Sequence, residues 1–431
     1  MKKVLTITSK MCIIICKQIH LLNQQTRRIL PMKPFKRILT LALAAVMVLG
    51  MMGLASCASS NPAEKNEKIK IGLTGPLTGG ASIYGIAVKN SAQLAVDEIN
   101  AAGGLDGIMF ELVMHDDKHD ATNVPTLYAD LYEQGMQVSL GTVTTKPGLE
   151  FKSLSADDNV FFLTPSATGD KIPENSNGYQ MCFSDSNQGT AAAKFFNENF
   201  KGKSVGVFYK QDDEYSAGIY ANFKASLDAS FTLVEAVFTG EASTFDSQIQ
   251  TLKNCEVVFM PIYYTPASQF MTQANSVDNS IAVYYGCDGF DGIDAIDGFD
   301  INTVKQEVSY LSHFNSNATE GPAADFIKKY NDRFDESKEP VNQFGASAYD
   351  CVYAIYEAMK TAKANGKTIT ANISATELCD ILTEVFNSDS FVYRGITGKC
   401  DGNERSYISW SADGTVQKEA IKYIVKENTK G

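Results

Sequence analysis

Short apolar segments alternate with longer segments of helical periodicity along most of the chain. Residues 68–73 alternate polar and apolar side chains and stop at 74–76, which predicts a strand followed by a loop. Apolar residues at helical spacing occupy 88–101 and end before two glycines at 103–104, which predicts a helix. Further predicted elements are a helix at 125–134 and strands at 110–114, 137–141, 160–163, 204–208, 233–237, 257–260 and 282–285.

This order of elements predicts the fold class. Strands that alternate with helices form parallel sheets covered by helices on both faces, so we expect an α/β protein with doubly wound sheets. The chain has 431 residues, of which about 375 follow residue 56. Because single hydrophobic cores stop growing beyond roughly 250–300 residues, we expect two domains.

The segment that begins at Met32 has the three parts of a secretory signal peptide. Basic residues precede an apolar run at 38–54, and Leu-Ala-Ser precedes Cys57. This end resembles the lipobox of bacterial lipoproteins, which implies cleavage before Cys57 and a lipid on its sulfur. We therefore expect a signal peptide at 1–56, a lipidated tether at 57–67 and attachment to the outer face of the cell membrane. The alternative is an uncleaved membrane anchor, since a largely apolar run of 17 residues is almost enough to span a bilayer.

Residues 1–31 do not belong to this signal. They contain a separate apolar patch at 11–16 and the basic pair Arg27 and Arg28. We expect Met32 to be the true start of translation and 1–31 to be a mis-assigned extension.

The charge of the chain excludes one class of partner. Residues 1–56 contain nine Lys or Arg and no acid, so the remainder carries 29 basic and 50 acidic side chains, a formal charge of −21. An anionic surface repels phosphates and anionic lipids. We therefore expect no nucleic-acid partner and a membrane attachment that depends on the lipid.

The nine cysteines fall into three groups. Cys12 and Cys16 precede Met32, and Cys57 is the expected lipid site. Secretion permits disulfides in the remaining group, but its members are scattered singly and buried free thiols are the favoured interpretation. With no Cys-x-x-Cys pair and only four histidines, the sequence lacks metal-site spacing, and we expect neither a metal nor a cofactor. The remaining cysteines are Cys182, Cys255, Cys287, Cys351, Cys379 and Cys400.

A series of short motifs follows the predicted strands. It comprises Ile-Gly-Leu-Thr-Gly-Pro-Leu-Thr-Gly at 71–79, Tyr-Gly at 84–85, Ala-Val-Asp-Glu-Ile-Asn-Ala-Ala-Gly-Gly at 95–104, Gly-Thr-Val-Thr-Thr at 141–145, Thr-Pro-Ser-Ala-Thr at 164–168, Asp-Gly at 288–289 and Ala-Tyr-Asp at 348–350. In order and spacing the series resembles type I periplasmic binding proteins of the leucine/isoleucine/valine-binding family, from residue 68 to residue 426. The resemblance implies two Rossmann-like lobes with parallel sheets, joined by three hinge crossovers.

The resemblance also implies that each lobe is discontinuous in sequence. We place the crossovers near residues 185, 314 and 392. The first lobe then comprises 68–185 and 314–391, and the second comprises 186–313 and 392–431.

The turn after the third predicted strand is a candidate carboxylate site. Ligands in open α/β sheets bind beyond the carboxyl ends of the strands. Here Thr145 suits the N-cap of a helix and Pro147 its first turn, and a helix start favours an anion. By resemblance Thr145 binds the α-carboxylate of the ligand, with Val143 and Thr144 beside it. The alternative is that Thr145 only caps its helix.

Two further turns are expected to bind an ammonium group. By resemblance, a backbone carbonyl near Ser166 accepts from it, Thr168 reaches the ammonium or the carboxylate, and Asp288 pairs with the ammonium. A carboxylate in a closing cleft is costly unless a cation accompanies it, and a bound ammonium supplies that cation. The alternatives are an ordinary polar turn at 164–168 and a turn aspartate beside Gly289.

Three tyrosines are expected to line the remaining walls. By resemblance Tyr84 and Tyr215 pack over the ligand, and of the next tyrosine pair we favour Tyr263. A tyrosine offers an apolar face and one hydrogen bond, which suits a mostly apolar pocket. Tyr84 and Val143 indicate an apolar or aromatic ligand side chain. The alternative is that these tyrosines are structural, since the chain has 19 of them.

Two segments resemble metal sites only superficially. Aspartates recur at every third residue from Asp288 to Asp300, whereas an EF-hand loop places its first ligands at alternate residues, so we favour a solvated acidic helix or loop. His115 and His119 flank an acidic turn after a strand, and we do not expect them to hold a metal.

The expected function follows from the resemblance. It implies a substrate-binding lipoprotein of an ATP-binding-cassette (ABC) importer that closes on an amino acid, branched-chain or otherwise apolar, and delivers it to a membrane permease. We expect a monomer and no enzyme, because the sequence has no Gly-x-Ser-x-Gly elbow, His-Glu-x-x-His motif or Walker loop. The alternatives are a ligand-sensing protein and a binder of a short amide, urea or an aromatic acid.

Overall fold

The computed structural model describes residues 68–335, 337–398, 404–418 and 420–429. Its strands are β1 (Lys68–Gly75), β2 (Met109–Asp116), β3 (Val138–Ser139), β4 (Phe162–Thr164), β5 (Gly178–Gln180), β6 (Val205–Lys210), β7 (Leu233–Phe238), β8 (Val257–Met260), β9 (Val283–Gly286), β10 (Glu307–Ser312), β11 (Tyr393–Gly395), β12 (Ser406–Trp410), β13 (Val416–Gln417) and β14 (Ile421–Lys426).

These strands form three sheets. The first is parallel, in the order β2-β1-β3-β4-β5. The second has the order β14-β10-β9-β8-β6-β7, with β14 antiparallel to β10 and the other neighbours parallel. The third is a small antiparallel sheet, β11-β12-β13. Each large sheet is the core of one lobe.

Helices connect the parallel strands and cover the sheets. The two longest, in the first lobe, pack against each other. The helices are α1 (Ser82–Ala101), α2 (Val124–Glu133), α3 (Thr145–Asp158), α4 (Asp185–Asn199), α5 (Glu214–Ser226), α6 (Asp246–Leu252), α7 (Tyr264–Ala274), α8 (Gly321–Asn331), α9 (Gln343–Ala364) and α10 (Ala375–Phe386).

The predicted α/β architecture with parallel sheets is confirmed, although most element boundaries differ from the prediction by one or more residues. Two of these differences have an identifiable cause. The helix expected at 88–101 begins earlier, at Ser82, and Ala81 at its N-cap makes no side-chain capping bond that would mark the start. The strand expected at 137–141 is reduced to β3. Gly141 has a φ of +64°, a conformation open to glycine, and it turns the chain away from the sheet at this point.

The small sheet contacts the first lobe. The indole N–H of Trp410 donates to the Gln180 carbonyl (2.7 Å), and the Gln180 N–H donates to the Gly414 carbonyl (3.0 Å). The Trp410 ring also lies against Phe386 of α10, with ring centroids 4.6 Å apart. The boundaries near 185, 314 and 392 remain predictions, and these contacts favour a first lobe that includes β11–β13.

In the described ranges, no helix is both long enough and apolar enough to cross a bilayer. The expected signal peptide, Cys57 and the tether precede residue 68 and lie outside the described residues, as does Cys400. The free-thiol interpretation is confirmed for the other five cysteines after Cys57, which are all buried and unpaired: Cys182, Cys255, Cys287, Cys351 and Cys379.

Asp350 ties α9 to the turn after β11, and its removal should destabilise the fold. Its buried carboxylate accepts hydrogen bonds from the Tyr393 hydroxyl (2.9 Å), the Ile396 N–H (3.0 Å), and the N–H (2.9 Å) and hydroxyl (2.7 Å) of Thr397. Because bonds to a charged group contribute about 1.5–3 kcal/mol each, Asp350→Ala should lower the Tm by several degrees in a thermal melt. The exposed Asp389→Ala is the control and should melt like the wild type. A wild-type Tm for Asp350→Ala would contradict this.

Candidate ligand-binding site

One small cavity, of about 10 Å³, is lined by residues that follow strands of both large sheets. The first lobe contributes the turns after β3 and β4, and the second contributes the turns after β8 and β9. The carboxyl ends of parallel strands are the usual ligand-binding edge of such sheets. The lining residues are Tyr84, Val143, Thr144, Ser166, Thr168, Tyr215, Tyr263, Asp288, Gly289 and Phe344.

Eight of the nine residues predicted to bind ligand line this cavity. The ninth, Thr145, is adjacent, with its hydroxyl oxygen 3.2 Å from that of Thr168. The structure therefore brings the predicted set together, and the binding role of each residue remains a prediction.

The start of α3 is arranged differently from the prediction. The N-cap position belongs to Thr144, so the alternative in which Thr145 caps the helix is wrong. Thr144 makes no side-chain capping bond and instead shares a hydrogen bond with His119 Nδ1 (2.9 Å). The Thr145 hydroxyl accepts from the Gly169 N–H (3.2 Å). The first turn therefore lacks a side-chain cap on its N–H groups, an arrangement that favours an anion.

The turns after β3 and β4 are joined by side-chain hydrogen bonds. The Ser166 hydroxyl donates to the Val143 carbonyl (2.7 Å), and the Thr164 hydroxyl donates to the Thr142 carbonyl (2.7 Å). Both bonds are buried, which fixes the spacing of the two turns against each other. The hydroxyls of Thr145 and Thr168 consequently form one rigid edge of the site.

Asp288 forms the opposite, acidic edge of the site. It is 2% exposed, and the Tyr215 hydroxyl donates to its Oδ1 (2.7 Å). The Gly289 N–H donates to the Tyr215 hydroxyl oxygen (2.9 Å), and the Asp288 N–H donates to Gln188 Oε1 (3.1 Å). Burial raises the pKa of Asp288 to about 7, while hydrogen bonds from Tyr215 and Gln188 oppose that change. No Lys or Arg is among the lining residues that could neutralise the carboxylate.

Aromatic rings form the apolar wall of the cavity. The Tyr84 ring meets Phe344 edge to face, with centroids 4.8 Å apart. Tyr215 and Tyr263 stack, with centroids 4.5 Å apart and an interplanar angle of 13°. These rings present apolar faces to a ligand and keep their hydroxyls for specific partners.

Hydrogen bonds join the two lobes beside the cavity. The Tyr84 hydroxyl, carried by α1, donates to the Gly289 carbonyl after β9 (2.6 Å). The Thr265 hydroxyl of α7 donates to the Gly80 carbonyl of the first lobe (2.8 Å). The two lobes are therefore in direct contact beside the cavity.

Four residues of the site were not among those predicted to bind ligand, and one of them is Gly289, which follows Asp288. Phe344 lies in the first turn of α9, where the side chain of Asn342 caps the helix, so a capping Asn before an aromatic residue was an available signal. Gln188 holds the Asp288 N–H, as described above. Asp185 is buried and hydrogen-bonded by the Thr168 hydroxyl, and burial raises its pKa well above the usual range.

The acidic series after β9 is only partly solvated. Asp294, Asp297 and Asp300 are exposed. Asp291 is buried and accepts from the N–H of Gln343 at the start of α9 (2.8 Å), so the solvated-loop interpretation is wrong for Asp291 as it is for Asp288. Within the residues that the structure describes, no three His, Cys, Asp or Glu side chains are grouped to hold a metal.

Residues 68–391 match the family described as periplasmic binding protein. The chain belongs to this family. It is 32% identical over 216 residues to the leucine-, isoleucine-, valine-, threonine- and alanine-binding protein of Pseudomonas aeruginosa, a match that covers 48% of this chain and 56% of that relative. It is 28% identical over 358 residues to the Leu/Ile/Val-binding protein BraC3 of Rhizobium johnstonii, covering 81% and 94% of the two chains. The first of these matches thus spans little more than half of the relative.

Solved structures of other binding proteins share the fold. The isoleucine complex of the branched-chain amino acid transporter substrate-binding protein LivJ from Streptococcus pneumoniae superimposes with a TM-score of 0.68 and 24% identity, over 84% of this chain and 97% of that one. The benzoate complex of an ABC transporter solute-binding protein from R. palustris gives a TM-score of 0.69 and 16% identity, over 84% and 94%. The type I periplasmic binding protein fold predicted from the sequence is confirmed.

The raised pKa of Asp288 predicts how the stability of this binding protein depends on pH in the absence of ligand. The folded state keeps the proton up to about pH 7, whereas the unfolded chain loses it near pH 4. The stabilising contribution is therefore complete below about pH 4 and is lost as the pH rises to about 7. In thermal melts, the Tm of Asp288→Asn minus the Tm of the wild type should be larger at pH 8 than at pH 5.

The control for this measurement is Asp294→Asn, because Asp294 is exposed on the same segment. It should follow the wild type at both pH values. An Asp288→Asn variant that also follows the wild type would show that Asp288 is ionised in the folded protein at pH 5.

Proposed function

We propose that this protein is the extracytoplasmic solute-binding component of an ABC importer and that its cavity holds an α-amino acid with an apolar side chain. The observation that carries the proposal is a buried carboxyl, Asp288, across the cleft from the hydroxyl pair of Thr145 and Thr168, in a lining without Lys or Arg. An amino-acid zwitterion would place its ammonium beside Asp288 and its carboxylate beside the threonine hydroxyls.

The charged groups of an amino acid match the two edges chemically. The Thr145 hydroxyl can donate to a carboxylate, and the start of α3 adds N–H groups and the positive end of a helix dipole. An ammonium beside Asp288 lowers the pKa that burial has raised, because an adjacent cation favours the ionised carboxylate. Binding of an amino acid then converts an unfavourable buried acid into a buried ion pair.

The remaining lining suits a small apolar side chain. Tyr84, Val143 and Phe344 offer ring faces and methyl groups. At about 10 Å³ this cavity is far below the roughly 300–1,000 Å³ of ordinary small-molecule pockets, so its walls must move apart to admit a ligand. The names of the curated relatives and the isoleucine in the S. pneumoniae complex support a branched-chain ligand.

Closure of the lobes is the proposed mode of capture. In an open form, the bonds from Tyr84 to Gly289 and from Thr265 to Gly80 separate, and ligand enters the cleft. The closed monomer then docks on a membrane permease, and no bond of the ligand is made or broken. A ligand sensor would use the same closure, and a permease gene beside this one would favour import.

Titration calorimetry with leucine at pH 8 tests this function. Asp288→Asn should weaken leucine binding about 30-fold or more, because it leaves a buried ammonium without its charge partner. Asp294→Asn, exposed on the same segment, is the matched control and should bind like the wild type. An unchanged leucine affinity in Asp288→Asn would sink the assigned role of Asp288.

A carboxylate without nitrogen is the second candidate ligand. The pKa of Asp288 near 7 makes its protonated form a hydrogen-bond donor, and the R. palustris neighbour contains benzoate in the same fold. Benzoate and 4-methyl-2-oxopentanoate are therefore titrated in parallel with leucine. Tight binding of either acid, retained in Asp288→Asn, would favour this candidate over the amino acid.

We further propose that Cys57, outside the described residues, carries a lipid that anchors the protein to the outer face of the membrane. Cys57→Ser should move the protein from the membrane fraction to the soluble fraction, and mass spectrometry should find the lipid only in the wild type. Ser59→Ala, in the tether, is the control. If Cys57→Ser stays in the membrane fraction, the apolar run at 38–54 is an uncleaved anchor.

A further inference from the structure

A second and larger cavity, of about 530 Å³, lies beside the first and shares Tyr263 with it. Both lobes contribute to this outer cavity, as they do to the inner one. The lining of the outer cavity is mixed. Its apolar members include Ala81, Phe238, Ala242 and Pro266, and its charged members are Lys118, Asp120, Lys146, Lys210 and Glu241.

His119 stands between the two cavities. It lines the outer cavity, and its Nδ1 is hydrogen-bonded to the Thr144 hydroxyl of the inner lining (2.9 Å). Its ring meets Tyr263 edge to face, with centroids 5.1 Å apart and an interplanar angle of 83°. His119 therefore supports, from the outside, the stretch of inner wall formed by Thr144 and Tyr263.

The backbone that carries His119 is strained. Lys118 has a φ of +57° and His119 a φ of +62°, values in the left-handed region that side chains other than glycine disfavour. Two carboxylates hold the turn in this form: Asp116 accepts from the Lys118 N–H (3.0 Å) and Asp117 from the His119 N–H (2.9 Å). These two hydrogen bonds stabilise an unfavourable backbone conformation in which the imidazole of His119 contacts Thr144 and Tyr263.

We propose that His119 is a specificity-determining residue that limits the length of the ligand side chain. The inference rests on the proposed function, in which Thr145 and Asp288 fix the two charged groups of the amino acid. A short side chain then meets Tyr84, Val143 and Phe344. A longer one extends past Tyr84 toward Tyr263, whose ring centroid is 6.0 Å from that of Tyr84. Behind that wall His119 blocks the way to the outer cavity.

The test compares leucine with 2-aminooctanoate, an amino acid with a longer unbranched side chain, by titration calorimetry. His119→Gly removes the imidazole, and glycine adopts a φ of +62° without strain, so the variant should fold. We expect the affinity for 2-aminooctanoate relative to that for leucine to rise about tenfold or more. A tenfold change in this ratio is about 1.4 kcal/mol, which is close to the free energy gained by burying one apolar side chain.

Two further variants separate blocking from mere structural support. Lys118→Gly relieves strain in the same turn without touching the wall and should leave the ratio of affinities unchanged. His119→Asn retains an amide that can bond Thr144, and asparagine tolerates the left-handed region, yet it is shorter, so the ratio should still shift toward 2-aminooctanoate.

The outcomes distinguish this inference from the function on which it rests. A wild type that binds leucine, together with a His119→Gly variant whose two affinities fall equally, overturns the inference alone, because support was then the only role of the imidazole. The same holds if Lys118→Gly shifts the ratio as much as His119→Gly. A wild type that binds neither amino acid overturns the proposed function, and the inference with it.

Discussion

The hydrogen bond from the Tyr215 hydroxyl to Asp288 (2.7 Å) is the contact around which the cleft is organised. This bond fixes the position of a carboxyl group whose protonated form is favoured by burial. The Gly289 N–H donates to the same Tyr215 hydroxyl oxygen and so holds the tyrosine in place. The Gly289 carbonyl in turn accepts from Tyr84 of the other lobe. A side chain at 289 would meet the Tyr215 hydroxyl at 2.5 Å and the Ile262 carbonyl at 2.8 Å, so this close approach requires glycine.

The fold was predictable where the hydrophobic pattern of a segment matches the burial of that segment in the folded protein. The apolar run at 257–260 matches β8 because a short strand buried on both faces needs no alternation. The pattern was weaker elsewhere. β14 pairs antiparallel with β10, more than 100 residues earlier, and a partner so distant leaves no trace in a local segment. β5 has only three residues, too few for either periodicity to appear.

The site was predictable because its residues follow strand ends in a recognisable order, not because any one of them is distinctive. Thr145 shows how far the local pattern can mislead. The sequence suggested Thr145 as the N-cap of its helix, but the N-cap is Thr144 and the Thr145 hydroxyl lies beside that of Thr168. Phe344 comes from α9, far in sequence from the turns after β3 and β4 that it joins. His119 was considered only as a metal ligand, since its contact with Tyr263 exists only once the lobes meet.

In the proposed function, both lobe closure and ligand selectivity depend on the free energy of burying Asp288. Closing the cleft desolvates Asp288, and that cost falls only when a cation arrives beside the carboxylate. A ligand shifts an open–closed equilibrium by no more than its difference in affinity for the two states. An amino acid whose ammonium reaches Asp288 therefore favours the closed form, whereas the same molecule without its nitrogen can do so only through a protonated Asp288. Because that proton is lost above about pH 7, the pH at which a ligand still closes the lobes reports which of the two charge states it requires.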